Sequence, residues 1–407
     1  MCFRNISTAL ALPAAAALLL CGCSGKIIPA PAVQTESMSA VTPVPTPSPE
    51  PFAEGFDICG RHYSTDTEEL DLTGLAEEDA ETLLEVLPYL KSLKRINLAG
   101  GEAETIDWDE IAHLEEIFPY ASIDCVFSLC GKSFSLSDTT LDLNHRAIED
   151  GGALVRKIIP CMPNLGTVDM DSCGVADEDM AVIRDENPDV EVIWRVWFGT
   201  NYSVRTNVTR LLASKASEGG EIKDSNSGSL KYLTKVKYLD VGHNSYMKDI
   251  SFVSFMPDLE VAIIAINDVD DISPLAGCTK LEYLELEQTK FTDASPLANL
   301  VNLEHLNIVQ NWYLEDITPL YNLKKLKRFW IGYQVPVPAE QIEKMKELLP
   351  DCDICTAATD SMDGNWRWDY TRESGFSERY ELLREQFGYE YKDFALSWND
   401  PLYNPHD

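Results

Sequence analysis

From Val236 onward one pattern returns every 22 or 23 residues, and a chain built that way has to stack copies of one small unit. The segments read VKYLDVGHN, LEVAIIAIN, LEYLELEQT, LEHLNIVQN and LKRFWIGYQ. Their first apolar positions are Val236, Leu259, Leu281, Leu303 and Leu326, spaced 23, 22, 22 and 23. Asn244, Asn267, Thr289, Asn311 and Gln334 close the segments, where a polar side chain can satisfy backbone groups in a turn. A second signature recurs in phase: Asp249-Ile250-Ser251, Asp271-Ile272-Ser273-Pro274-Leu275, Asp293-Ala294-Ser295-Pro296-Leu297 and Asp316-Ile317-Thr318-Pro319-Leu320. A unit this short cannot bury its own apolar side, so neighbouring units must share one continuous core.

The first string is the leucine-rich repeat pattern LxxLxLxxN, and with the DISPL strings the stretch resembles the 22-residue repeats of the internalin family. The resemblance is close over Val236–Gln334 and looser over about Glu69–Phe198, and it departs from internalins in lacking an LPxTG string. It implies an α/β leucine-rich repeat solenoid, with a curved parallel sheet on the concave face and helices or short turns on the convex face. Upstream a longer period appears. Leu70-Asp71-Leu72 matches Leu141-Asp142-Leu143, and Leu93–Leu98 matches Leu165–Met170. Helical patterns over Glu77–Leu90, Asp107–Phe118, Glu149–Ile159 and Asp177–Asp185 lie between the strand-like pieces, and Val190–Phe198 reads as a buried strand.

The N-terminus reads as an address. Ala9–Leu20 is an apolar run of 12 residues, too short to span a bilayer and suited to a signal peptide. It ends in Leu20-Cys21-Gly22-Cys23, which resembles the bacterial lipoprotein lipobox and makes Cys23 the expected lipidation site. Between Ser24 and Glu54 stand Pro29, Pro31, Pro43, Pro45, Pro47, Pro49 and Pro51, a composition that favours an extended tether. The expected organisation is therefore a signal peptide over 1–22, a lipidated cysteine and tether over 23–54, long-period modules over 55–212, a hinge over 213–229, internalin-like repeats over 230–356 and a C-terminal cap over 357–407. That arrangement places the protein on the extracytoplasmic face of a cell membrane, held by lipid alone. The tail resembles the segment C-terminal to the repeats in leucine-rich lipoproteins of Gram-positive bacteria.

Charge removes one partner class. Lys plus Arg total 33 against 67 for Asp plus Glu, a net of −34, which repels nucleic-acid phosphates and favours a partner carrying a basic patch. No HExxH, GxSxG or Walker A string occurs, so no enzyme is expected, and no cofactor or metal either. Asp268, Asp270 and Asp271 lack the ligand spacing of a calcium loop. The eight cysteines from Cys59 onward permit disulfides, but eight allow 105 connectivities and none is assigned.

The sheet face is the candidate surface. In LxxLxL the leucines point inward, so the intervening residues line the opposite face. Its rows are Tyr238 and Asp240, Val261 and Ile263, Tyr283 and Glu285, His305 and Asn307, Arg328 and Trp330, with Glu287 beside them. The 23-residue repeats add Tyr246 and the pair Trp312 and Tyr313 near the same rim. An exposed aromatic stripe flanked by charge marks a partner site, and a protein is the expected ligand, with a glycan second. The C-terminal tail or the hinge folded over the stripe would instead make it core. Two rival readings stand beside this one: an extracellular hydrolase or accessory subunit using the N-terminal modules or the aromatic tail, and an envelope scaffold without a discrete site, which a face blocked by its own tail would favour.

Overall fold

The computed structural model describes residues 51–199, 202–214 and 221–387. The signal peptide, Cys23, most of the tether, part of the hinge and the last twenty residues of the cap lie outside the described residues. The chain divides into two compact units, one holding described residues up to Leu141 together with Gly152–Gly166, the other holding Asp142–Gly151 and Thr167 onward.

In the first unit, strands Glu69–Leu72, Arg95–Leu98 and Ser122–Asp124 form a parallel sheet with Leu70, Ile96 and Ile123 in register. All three side chains are buried, and helices Glu77–Val86 and Trp108–Ile117 supply Leu83, Val86, Ile111 and Leu114 to the same core. The second helix starts where Asp107 accepts the Glu110 backbone N–H at 3.2 Å, the usual carboxylate cap. The helix expected over Glu149–Ile159 is shortened to Ala153–Ile158, because Gly151 and Gly152 take φ of 67° and 82° and hold the start back. A hairpin of Val126–Leu129 and Lys132–Ser135, with Phe127 opposite Phe134, is an element that the long-period pattern did not announce.

The second unit repeats that device. Thr167–Asp169 pairs in parallel with Glu191–Ile193. The apolar run Val190–Phe198 is two strands and not one: after Trp194 the chain turns into Arg195–Phe198, which pairs antiparallel with Tyr202–Arg205. Trp194 marks the break because its buried indole donates to Asp177 Oδ1 at 3.0 Å.

Seven strands then stack in parallel: Arg210–Leu212, Tyr238–Asp240, Val261–Ile263, Tyr283–Glu285, His305–Asn307, Arg328–Trp330 and Asp353–Cys355. The sheet thus begins one strand before the 230–356 array read from the repeats. The central residues Leu211, Leu239, Ala262, Leu284, Leu306 and Phe329 run in register and are fully buried. The fold is a leucine-rich repeat solenoid.

Each repeat consensus has a structural reason. Asn311 Nδ2 donates to Leu286 O of the preceding repeat and to Ile308 O of its own, both at 2.8 Å. Asn267 does the same with Val241 O at 3.1 Å and Ile264 O at 3.0 Å, and Asn244 with Ala213 O at 3.0 Å and Val241 O at 2.9 Å. These buried amides satisfy carbonyls that the turn leaves without partners. The aspartate of each DISPL string accepts a backbone N–H two residues on: Ser251 to Asp249 at 2.7 Å, Ser273 to Asp271 and Ser295 to Asp293 at 2.8 Å, Thr318 to Asp316 at 2.9 Å. Each contact opens a short 3-10 helix on the side away from the strand.

Replacing Asn311 by alanine leaves the Ile308 carbonyl without its donor and Leu286 O with the Thr289 hydroxyl alone, and should destabilise the protein by about 1–3 kcal/mol in denaturant unfolding. Exposed Gln288 sits at φ 52°, the left-handed turn position of its repeat, so Gln288→Gly should be neutral or stabilising while Gln288→Val should lose about 1–2 kcal/mol.

Candidate functional site: the covered face of the repeat sheet

The face opposite the leucine core is not open. Tyr283 and Trp330 are 1% exposed and Glu285 is fully buried, as are Val261, Ile263, Glu287, Asn307 and, nearly so, Asp240 and His305. Tyr238 and Arg328 are half-buried. On the rim, Trp312 and Tyr313, at 48% and 59%, stand clear together with Tyr246. The expectation of an exposed aromatic stripe on the strands is therefore corrected: the chain from Ala358 to Phe387 lies over it and turns it into a second core.

The cover is aromatic and specific. Trp366 is fully buried, with ring centroids 5.3 Å from Tyr283, 5.2 Å from Trp330 and 6.3 Å from His305. Arg328 lies with its guanidinium 4.7 Å from the ring centres of both Trp330 and Trp366, and donates to the backbone carbonyls of Asn365 and Trp366. Farther along, helix Glu378–Phe387 buries Tyr380, Leu383 and Phe387, and Phe387 meets the edge of Tyr238 at 6.2 Å. Two glycines let the cover come this close. A Cβ on Gly332 would sit 2.6 Å from Ala358 O, and one on Gly364 would sit 2.9 Å from Trp330 Nε1. Both have positive φ, 67° and 64°, which glycine takes without strain.

At the centre stands Glu285. Its Oε1 accepts from the Trp366 indole N–H at 2.8 Å and from the Tyr283 hydroxyl, and its Oε2 accepts from Arg367 Nη2 at 2.6 Å. Burial by itself would raise its pKa, but the Arg367 charge and these three donors hold the carboxyl below the ordinary range. Burial likewise opposes the charge on Arg367, and Glu285 outweighs it, so the guanidinium stays protonated.

Glu287, two residues on, is less well served. Its Oε1 accepts from the Ser361 backbone N–H at 3.1 Å while its Oε2 is buried without a partner. Burial, then the neighbouring Glu285, push its pKa up to about 7. His305 goes the other way: burial, with Arg328 and Arg379 nearby, lowers it to about 3 and leaves the ring neutral. The tail is further tied down by Gln310 Nε2 to Thr359 O at 2.6 Å and by Ser377 Oγ to Trp366 O at 2.7 Å.

Beyond the cover, exposed aromatics gather on the turns that come after the strands. Tyr246 is 63% exposed and Tyr333 69%, and by repeat register they share that side of the sheet with Trp312 and Tyr313. Asp268 and Lys290, paired at 2.7 Å, occupy the corresponding turns of the two repeats between Tyr246 and Tyr313. Tyr333 was not singled out from the sequence, because it stands one residue before the asparagine position and reads as consensus filler. Among the described residues no group of three or more His, Cys, Asp or Glu side chains is placed to hold a metal ion, and no helix is long and apolar enough to cross a membrane.

No protein-family profile matches this chain, and no curated protein does. Solved structures do. Internalin C2 from Listeria monocytogenes is 19% identical over 55% of this chain and 74% of its own, with a TM-score of 0.29. A leucine-rich repeat protein of Leptospira interrogans is 17% identical over 67% of this chain and 74% of its own, with a TM-score of 0.31. The TLR13–ssRNA13 complex is 14% identical over 67% of this chain and 44% of that one, with a TM-score of 0.25.

Removing one partner of the buried pair should be far worse than removing both. Arg367→Met should destabilise by about 3–5 kcal/mol, whereas the double variant Glu285→Met, Arg367→Met should recover much of that loss in equilibrium unfolding.

Glu287 gives a pH signature. Its folded pKa lies above the unfolded value, so the native state holds the extra proton between about 4.5 and about 7, and stability falls as pH rises through that window. His305, lowered by burial, acts with the opposite sign below its unfolded value of 6.5. The difference between wild type and Glu287→Gln isolates the carboxyl: it should grow with pH from about 4.5 to 7 and then level off.

Proposed function

We propose that this chain is a non-enzymatic, lipid-anchored leucine-rich repeat module, displayed on the extracytoplasmic face of a bacterial membrane, that binds a protein partner. The observation carrying this reading is the set of exposed aromatics on the turns after the strands, Tyr246, Trp312, Tyr313 and Tyr333, on a protein that closes its own sheet face. Aromatic side chains of this kind bury large area on binding with few rotors to immobilise, which is why they dominate interface energetics. A scaffold that has sealed one aromatic surface and left another open to water has kept the second for something else.

The sheet residues Tyr238, Asp240, Val261, Ile263, Tyr283, Glu285, Glu287, His305, Asn307, Arg328 and Trp330 belong, in this reading, to the seat of the tail. The partner contacts move to Trp312 and Tyr313 and their neighbours. Strands stand about 4.8 Å apart, so Tyr246 and Tyr313, three strands distant, span about 15 Å, enough for one partner element to touch both. With a net charge of −34, a basic partner surface would be drawn in faster at low salt. A glycan remains the second ligand class, since exposed aromatics also stack on sugars. The tether ahead of Glu54 would hold the module away from the bilayer.

One observation favours a different reading. Closure of the sheet face by the chain's own tail is what an envelope scaffold without a discrete site would show.

The experiment is capture from envelope and host-surface extracts, using Ser24–Asp407 beside a Trp312→Ala, Tyr313→Ala variant with unchanged unfolding. A partner held by the first and released by the second supports the aromatic rim. Equal capture by both removes the rim, and no capture by either favours the scaffold. In the full-length chain, Cys23→Ala should shift the protein from the detergent-rich to the aqueous phase on phase separation.

A further inference from the structure

The tail does not fill all the space it encloses. A cleft of about 580 Å³ opens where the start of helix Glu378–Phe387 and the loop before it stand over the sheet, a volume in the range that holds small ligands or single side chains. His305 and Arg328 belong to the sheet side of its wall, and Glu378 and Arg379 to the helix side.

Most of the charges around the cleft are already committed. Lys327 pairs with Glu304 at 2.7 Å, Arg328 lies against two indoles and donates to backbone carbonyls, and Asp369 accepts from the Thr371 hydroxyl at 2.6 Å. Three carboxylates are less so: the exposed side chains of Glu282, Asp353 and Glu378 line the cleft and make no hydrogen bond or ion pair among the described residues, with Asp353 feeling the Arg328 charge at longer range. Opposite them, two buried polar atoms lack partners. They are Nη2 of Arg379, whose guanidinium lies 5.5 Å from the Tyr283 ring centre, and Nδ1 of His305, a residue only 7% exposed. Neither atom is itself open to the cleft, but Arg379 lines it and the rest of its guanidinium makes no hydrogen bond or ion pair among the described residues, so it is the donor that an outside acceptor would meet.

We propose that this cleft binds a basic residue of a peptide, its cation among Glu282, Asp353 and Glu378 and its backbone carbonyl on Arg379. The inference deepens the partner-binding reading above and rests on it for the choice of a peptide as ligand. Free carboxylates outnumber free cations three to one here, so an anion is repelled and an apolar group would strip water from charges without replacing it. A lysine or arginine residue supplies both halves, a cation at the end of a flexible stem and a carbonyl oxygen at its base. The neutral His305 ring adds a hydrogen-bonding edge and no opposing charge. The same arrangement gives the basic-patch preference of the whole acidic protein a particular place.

The test uses the full mature chain and four defined probes, the N-acetyl amides of lysine, arginine, leucine and glutamate, titrated by NMR at low and high salt. The lysine and arginine probes should bind, the leucine and glutamate probes should not, and raising salt should weaken binding severalfold. Glu282→Gln and Glu378→Gln should each weaken the basic probes about threefold, and the pair together about tenfold. Arg379→Gln should weaken them severalfold, with tryptophan fluorescence confirming that the tail stays docked in every variant. Equal binding of all four probes, no binding of any, or basic-probe binding untouched by these substitutions would overturn the proposal. Loss of partner capture on mutating Trp312 and Tyr313 while basic probes fail to bind would sink the cleft and leave the rim standing. The reverse pattern would sink the rim and leave the cleft.

Discussion

A carboxylate sits in the middle of what would otherwise be a hydrophobic face, and everything laid over that face answers to it. Glu285 could have been left in water by an open sheet. Once a tail closes over it, the charge has to be matched with nearly every lone pair used, because an unmatched buried charge is more costly than the packing around it can offset. Arg367, Trp366 and Tyr283 do that matching, each with a donor on one of its two oxygens. These contacts set the register of the tail on the sheet. A shift of one residue along Trp366-Arg367 would take the indole N–H and the guanidinium off their oxygens together.

The two cores of the repeat unit differ in kind. The leucine core is apolar apart from one polar position per repeat, where Asn244, Asn267, Thr289 and Asn311 donate to backbone carbonyls. The core under the tail is mixed, and several of its buried polar atoms lack partners: Glu287 Oε2, His305 Nδ1, Asn307 Nδ2 and Arg367 Nε. Interfaces of that composition hold position through a few directional contacts and open locally before an apolar core does. The tail is thus a fitted cover with one strong clasp, and a repeat scaffold that carries it leaves its turns and its cleft open to solvent in place of its strands.

Much of this could be read ahead of the structure. The spacing of Val236, Leu259, Leu281, Leu303 and Leu326 is enough to set the parallel strands, because a fixed period with inward leucines admits one stacking. Asn311 and Asp316 announce their roles for the same reason, since Asp316 acts two residues on and Asn311 acts on its own repeat and the one stacked before it. Local rules also failed in identifiable places. The run Val190–Phe198 shows unbroken apolarity, and nothing in that pattern reveals that the Trp194 indole reaches back to Asp177 and that the chain then enters a hairpin. The 3.6-residue period over Glu149–Ile159 hides two glycines in left-handed conformation.

The alternation of LxxLxL told which side chains leave the leucine core, and Tyr238, Tyr283, Glu285, His305, Arg328 and Trp330 all meet the tail. What lay on the far side of those residues was beyond its reach. Tyr283 and Trp330 look the same in sequence whether they face water, a partner or the protein's own tail, because apolarity records a preference for burial and not the identity of what does the burying. The contacts of the two buried glutamates join residues 74 to 82 positions apart, Glu287 with Ser361 and Glu285 with Trp366 and Arg367. No short-range period spans such a distance. The repeats by themselves determined a solenoid with a polar-aromatic face; only the packing of a distant segment decided that this face is interior, and that the aromatic side chains left open to water stand on the turns.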